Sequence, residues 1–199
     1  MHETLLTGVG PLRAAKSLAM RLARGVLPDL VVSSGFAGAL GPELALSSWI
    51  TGARVCEWDG AARVPVEAGA LVCAPGLVRC DVVSSSTLMS ANRALRRGSL
   101  PMVADMESAA LARASGQRGV PFAIVRLISD TPAQPLPAFV SSIASAMAAE
   151  TTASRLASAG RGLRAALVDP RAVVRLVKDS ARWLRDLEEG WKTLGPWPA

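Results

Sequence analysis

Two acids stand where apolar segments give out, in positions where a carboxyl group can be used chemically. Ala104-Asp105-Met106-Glu107-Ser108-Ala109-Ala110 passes from an apolar strand pattern through acids into a run of small helix formers. Val125-Arg126-Leu127-Ile128-Ser129-Asp130 carries a charge inside a buried-looking strand and ends on an acid. A carboxylate accepts hydrogen bonds from ligand hydroxyls, and a carboxyl at the tip of an apolar strand can have its pKa raised by desolvation until it donates a proton near neutrality. Each segment also has a structural reading. Glu107 can be a first-turn acid set against a helix dipole, Asp130 an N-cap or Asx-turn, and Arg126 an ion-pair partner. Two side-chain-poor stretches, Thr7-Gly8-Val9-Gly10 and Ser33-Ser34-Gly35-Phe36-Ala37-Gly38, let backbone approach a ligand and aim N–H groups at an oxygen or anion. Taken singly, such glycine turns often do no more than join a strand to a helix.

The elements that must position these groups follow an α/β order. Thr4-Leu5-Leu6-Thr7 reads as a short strand, and Pro11 opens a helix to Arg24 with Leu12, Ala15, Ala19, Leu22 and Ala23 on one face. Leu30-Val31-Val32 begins an unalternated apolar run, the pattern of a strand buried on both faces, ending in Ser33 to Gly38. Further strands are expected at Ser48 to Cys56, Ala70 to Ala74, Pro101 to Met106 and Phe122 to Ile128. A helix starts near Glu107, and long helices lie near Ala138 to Ser158 and Arg171 to Glu189. Repeated strand-then-helix order predicts a three-layer α/β fold with a mainly parallel, mixed central sheet flanked by helices, whose strand ends form the ligand crevice. Asp130 to Pro137 and the tail after Gly190 read as flexible.

Composition narrows the chemistry. With 199 residues and 50% hydrophobic content, the chain fits a single domain over residues 1–199. His2 is its one histidine, which leaves almost nothing for His-based catalysis or a His-containing metal cluster. Cys56, Cys73 and Cys80 have no C-x-x-C spacing and read as free thiols of a reducing compartment. We expect no metal and no redox cofactor. The net charge is +6, but the arginines are spread along helices and not interleaved with aromatics, which argues against nucleic acid. No apolar stretch is long enough to span a bilayer and no signal sequence is evident, so a cytoplasmic location is expected.

Taken together, Thr7 to Gly10, Ser34 to Gly38, Asp105 to Glu107 and Arg126 to Asp130 resemble, in this order, the motifs of the purine nucleoside phosphorylases and methylthioadenosine/S-adenosylhomocysteine nucleosidases: T/S-G-x-G, S/T-G-x-A-G, acidic-Met-Glu and R-x-x-S-D. The resemblance spans about residues 4 to 140. It implies cleavage of the N-glycosidic bond of a purine nucleoside, with adenine as the base and no cofactor, by water or with phosphate as co-substrate. It implies that Glu107 accepts hydrogen bonds from the ribose hydroxyls, that Met106 packs under the sugar, and that Asp130, with Ser129 beside it, faces N7 of the purine. Leu77 and Val78, within Cys73 to Cys80, would line the base. Gly8, Val9, Gly35, Phe36, Ala37 and Gly38 would wall the sugar and the attacking group. Arg126 would organise a second acid, here Asp105.

The family's activating Glu lies in a G-x-M-x-x-E segment of an amino-terminal strand that has no counterpart in this sequence. Glu57 or Asp59 is a conceivable replacement, and a non-catalytic nucleoside-binding or assembly relative is the alternative. The carboxyl half is similar to a narrower branch of the family, associated with hopanoid biosynthesis, which removes adenine from adenosylhopane. A hydrophobic 5′ substituent on the nucleoside would follow. Arg171 to Trp191 reads as a basic amphipathic helix, with Val173, Val177, Leu184, Leu187 and Trp191 on a shared face, suited either to its own domain or to peripheral contact with an anionic membrane. Trp183, Trp191 and Trp197 are candidate contacts of a homodimer or higher homo-oligomer.

Overall fold

The apolar run that opens at Leu30 becomes the strand around which the fold is arranged. In the computed structural model, which describes residues 3–87, 89, 99–148 and 152–193, this strand is β1, Val31–Ala39. It is preceded by α1 (Pro11–Leu22) and followed by β2 (Trp49–Trp58), β3 (Arg63–Pro65), β4 (Leu71–Val72), β5 (Val78–Ser84) and β6 (Met102–Asp105). Then come α2 (Ser108–Gly116), β7 (Phe122–Asp130), α3 (Ala138–Ala148), α4 (Thr152–Val168) and α5 (Pro170–Thr193). The sheet has the order β3-β2-β5-β6-β1-β7-β4, and β2 also pairs with β7, so the central strands curl back on themselves. It is mixed: β1–β7, β4–β7, β2–β5 and β5–β6 are parallel, while β1–β6, β2–β3 and β2–β7 are antiparallel.

Alternation along the strands separates two apolar clusters. Val82 and Val103 join Ala37, Ile124, Ile128 and the buried residues of α1 and α2 in the larger one. Their neighbours Val83, Met102 and Ala104 join Leu40 in a second, against which Cys56, Trp58 and Met89 pack. β7 is buried along nearly its whole length, as expected of a strand covered on both faces.

Several expectations need correction. Thr4 to Thr7 is irregular, and Leu6 is 91% exposed. Both edges of β1 are already taken by β6 and β7, which leaves that segment no ladder there. The inward line of α1 is Ala14, Leu18 and Leu22, and Leu12 lies outside. Ser33 to Gly38 belongs to β1 and is not a turn after it. β5 and the short β3 were unanticipated, and the expected long helix after Ala138 is two helices, α3 and α4, with Gly162 of α4 against Ser142 and Ile143 of α3. After Asp130 the chain closes a turn in which Gln134 N–H donates to Thr131 O (3.0 Å), so its first residues are paired. His2 and Trp197 lie outside the described residues. No helix among the described residues is long and apolar enough to cross a membrane.

α5 is held by its own fold. Trp183 lies against Phe36 with centroids 6.1 Å apart, Trp191 Nε1 donates to Ser34 Oγ (2.7 Å), and Ser47 Oγ donates to Asp186 (2.9 Å). The ring of Trp49 meets Trp191 edge-on and lies so close over Gly190 that a Cβ there would collide with it. Trp183 and Trp191, expected as oligomer contacts, are therefore engaged within the chain.

Candidate active site

Glu107 and Asp130 arrive on the two strands that flank β1. Gly38 of β1 stands opposite Ala104 of β6 on one side and opposite Asp130 of β7 on the other. At a strand spacing of about 4.8 Å the backbones at Ala104 and Asp130 are on the order of 10 Å apart, with Glu107 three residues past Ala104. Because β6 runs antiparallel to β1, the site is not a plain row of parallel carboxyl ends, and Glu107 enters from a strand that runs against its neighbour.

A bulge sets the aim of Asp130. The β1–β7 register runs regularly to Ala37↔Ile128 and then shifts to Gly38↔Asp130, leaving Ser129 as the extra residue. Asp130, and not Ser129, thus meets Gly38. Its carboxylate lies over that glycine so closely that an added Cβ would be 2.7 Å from Oδ2. Ser129 Oγ donates to Asp130 Oδ1 (2.7 Å). Burial pushes the Asp130 carboxyl above its ordinary range, and the Ser129 hydroxyl opposes this. Gly38→Ala should displace the carboxylate while leaving the fold intact. We expect a stability change within about 1 kcal/mol and a turnover loss of about 10- to 100-fold, checked by thermal melts and by kcat on the same preparation.

Glu107 is the residue before α2, yet it makes no side-chain cap to that helix. Instead its Oε1 accepts the N–H of Gly10 (2.8 Å), at the amino end of α1. The Thr7 to Gly10 turn and the acidic segment of β6, far apart in sequence, are thereby brought together. Burial is the largest influence on Glu107 and raises its pKa, the Gly10 N–H lowers it, and the nearby Asp105 charge adds a further rise. Both acids are half-buried, so each sits at a boundary with solvent. Met106, beside Glu107 in the chain, is buried.

Asp105 and Arg126, grouped by their motifs with the substrate-binding residues, lie inside the protein. Their side chains are 1% and 3% exposed and form an ion pair at 2.8 Å. Arg126 also donates to Ser33 O (2.7 Å), Ser33 Oγ (2.8 Å) and Ser108 Oγ (2.8 Å), and Asp105 accepts from Ser84 and Ser108. With their polar atoms spent on protein partners, they cannot be substrate contacts, and they act by fixing β1, β6, α2 and β7 to one another. Arg126 organises Asp105, as the resemblance implied, and leaves Asp130 alone.

Leu77 and Val78 are also corrected. Val78 opens β5, whose far end, Ser84, pairs with Asp105. At about 3.3 Å per residue that puts Val78 about 20 Å along β5 from Ser84, the end that meets the acidic segment of β6. The residues that β5 does deliver to this end are Ser85 and Thr87, with Met89 beyond them packed on the second cluster. Their signal was the Ser-Ser-Ser-Thr run that follows the apolar pair Val82-Val83. Phe36 faces Trp183 of α5, while Gly8 and Val9 flank the contact to Glu107.

The two proposed replacements for an activating base are engaged elsewhere. Glu57 pairs with Arg113 of α2, and Asp59 accepts the N–H groups of Ala61 and Ala62 (2.8 and 2.7 Å). A separate cavity of about 320 Å³, lined by Arg54, Cys56, Arg63 and Asp81 among others, contains neither Glu107 nor Asp130.

A curled mixed sheet flanked by helices, with acids delivered on either side of a glycine-containing central strand, defines an α/β protein of the nucleoside phosphorylase type. The chain belongs to the phosphorylase superfamily, whose family profile matches residues 54–160, over half of its length. Among solved structures it is similar to a protein from Weissella paramesenteroides assigned as a methylthioadenosine nucleosidase, with 24% identity over 82% of this chain and 76% of that one and a TM-score of 0.51. It is also similar to a Helicobacter pylori methylthioadenosine nucleosidase variant with 5′-methylthioadenosine in its active site, with 16% identity over 64% and 67% of the two chains and a TM-score of 0.50. These likenesses show the fold. No curated protein sequence matches the chain.

Proposed function

We propose that this protein binds an adenine nucleoside and breaks its N-glycosidic bond. The observation that carries the reading is the placement of Glu107 and Asp130 across β1, each half-buried and each with its carboxyl pKa raised by burial. Breaking the bond builds positive charge on the sugar and negative charge on the purine, so a site must favour both as they develop. Glu107, fixed by Gly10, accepts hydrogen bonds from the ribose hydroxyls and sets a negative charge beneath the sugar. Asp130, whose carboxyl burial shifts toward the protonated form, gives a proton or a strong hydrogen bond to N7 of the departing base. The same fold holds 5′-methylthioadenosine in the Helicobacter pylori protein, which supports adenine as the base.

Within this reading the 5′ substituent is hydrophobic, and adenosylhopane, cleaved to ribosylhopane and adenine, is the substrate we favour. Leu5, Leu6 and Leu12 leave an exposed apolar rim on either side of the Gly8 to Gly10 turn that grips Glu107, in keeping with a greasy group leaving the sugar there. Adenine release should therefore be faster from 5′-alkylated adenosines than from adenosine, measured with and without phosphate. Release that requires phosphate marks a phosphorylase, and release without it marks a hydrolase. Because Glu57 and Asp59 are engaged elsewhere, a nucleoside-binding protein without turnover is the second reading, and binding with no release under either condition would establish it.

A further inference from the structure

α5 keeps an unusual outer surface after docking. Its inner line, Ala172, Leu176, Trp183, Leu187 and Trp191, is buried or half-buried against the domain. At 100° per residue the remaining surface divides into two adjoining sectors, each about 80° wide. One holds Arg171, Arg175, Lys178, Arg182 and Arg185, all exposed. The other holds Val174, Val177, Ala181 and Leu184, also exposed, with Val177 at 63% and Leu184 at 58%. The acids offset the basic sector only in part: Asp179 pairs with Arg182 and exposed Glu189 falls within the sector near its end, while Asp186 faces Ser47 and Glu188 pairs with Lys192, so cations remain in the majority there. A helix whose only apolar side is the packed one leaves a polar exterior; α5 has a second apolar flank, placed beside a row of cations.

We propose that this outer face of α5 docks on an anionic lipid bilayer, with Val174, Val177 and Leu184 in the headgroup boundary and the basic sector on the lipid phosphates. The pairing of sectors selects the occupant. Nucleic acid would use the cations and leave the apolar flank in water, and a second copy would bring two positive faces together. The helix need not rearrange, since Trp183, Asp186 and Trp191 fasten its other side to the domain. The proposal is independent of the nucleoside reading, because these residues lie outside the candidate site and lipid binding and adenine release can fail separately.

The test is flotation of the full chain with vesicles of phosphatidylcholine, with and without phosphatidylglycerol. The expected result is recovery with the phosphatidylglycerol vesicles only, lost in about 0.5 M salt. R171E/K178E/R185E and V177S/L184S should each weaken partitioning about tenfold or more, with circular dichroism unchanged. The proposal is overturned by no recovery at low salt, by equal recovery with neutral vesicles, or by V177S/L184S binding like the parent. It is equally overturned if the basic residues prove to bind transfer RNA with no vesicle binding, or if sedimentation shows a dimer that V177S/L184S dissociates.

Discussion

Asp130→Asn and Glu107→Gln are expected to leave a folded protein that has lost most of its turnover. Removing a positioned general acid costs about 10²- to 10⁴-fold, and Asp130→Asn should take this from kcat while largely sparing binding; Glu107→Gln should raise KM as well, because the ribose grip is weakened. The stability effect has the opposite sign to that of most buried-acid substitutions. Burial raises the folded-state pKa of both groups, so the stability linked to their protonated forms is fully present below the unfolded value near 4 and is lost as pH rises through the folded values. At pH 7 the parent carries this penalty and the amides do not. Their melting temperatures should therefore equal or exceed the parent's at pH 7, and the difference should close below about pH 4. Activity should fall on the alkaline side as Asp130 loses its proton, a limb that Asp130→Asn flattens. Unfolding of both variants at neutral pH would mean that the acids are structural.

Arg126→Leu should be among the most destabilising single changes in the protein. It strands Asp105, whose side chain is 1% exposed, without its counter-charge, and it takes a donor from Ser33 and Ser108. Breaking one side of such a pair costs about 3–5 kcal/mol, readable as a shift of the urea midpoint. The double variant with Asp105→Leu should recover part of the loss, since no buried charge then remains. A single-variant loss below about 1 kcal/mol would show that the pair does not hold the strands together.

Much of this arrangement was legible in the chain. β1, β2, β6 and β7 declared themselves as apolar runs, α1 by Pro11 after a glycine turn, and α5 by its period. The four motif segments named the candidate acids. What was not legible depended on lateral pairing. β5 was hidden because Arg79 and Asp81 interrupt its apolar pattern, yet in the sheet Asp81 is matched by Arg54 of the adjacent strand through a two-point contact (2.7 and 2.8 Å). Missing β5 misplaced Leu77 and Val78, because a segment assigned to no element has no fixed end. Thr4 to Thr7 had the composition of a strand, but a strand also needs a free edge to join. Arg126 and Asp105 looked like ligand groups because they are charged and near the motifs; only burial and saturated hydrogen bonds reveal them as internal fasteners.

The extra residue in β7 has one more implication. Which functional group meets Gly38 is decided by register there, for a regular ladder through the same sequence would put Ser129 opposite it. A slip of one residue in the pairing of β7 would therefore exchange a proton donor for a hydroxyl at that spot, with no codon changed.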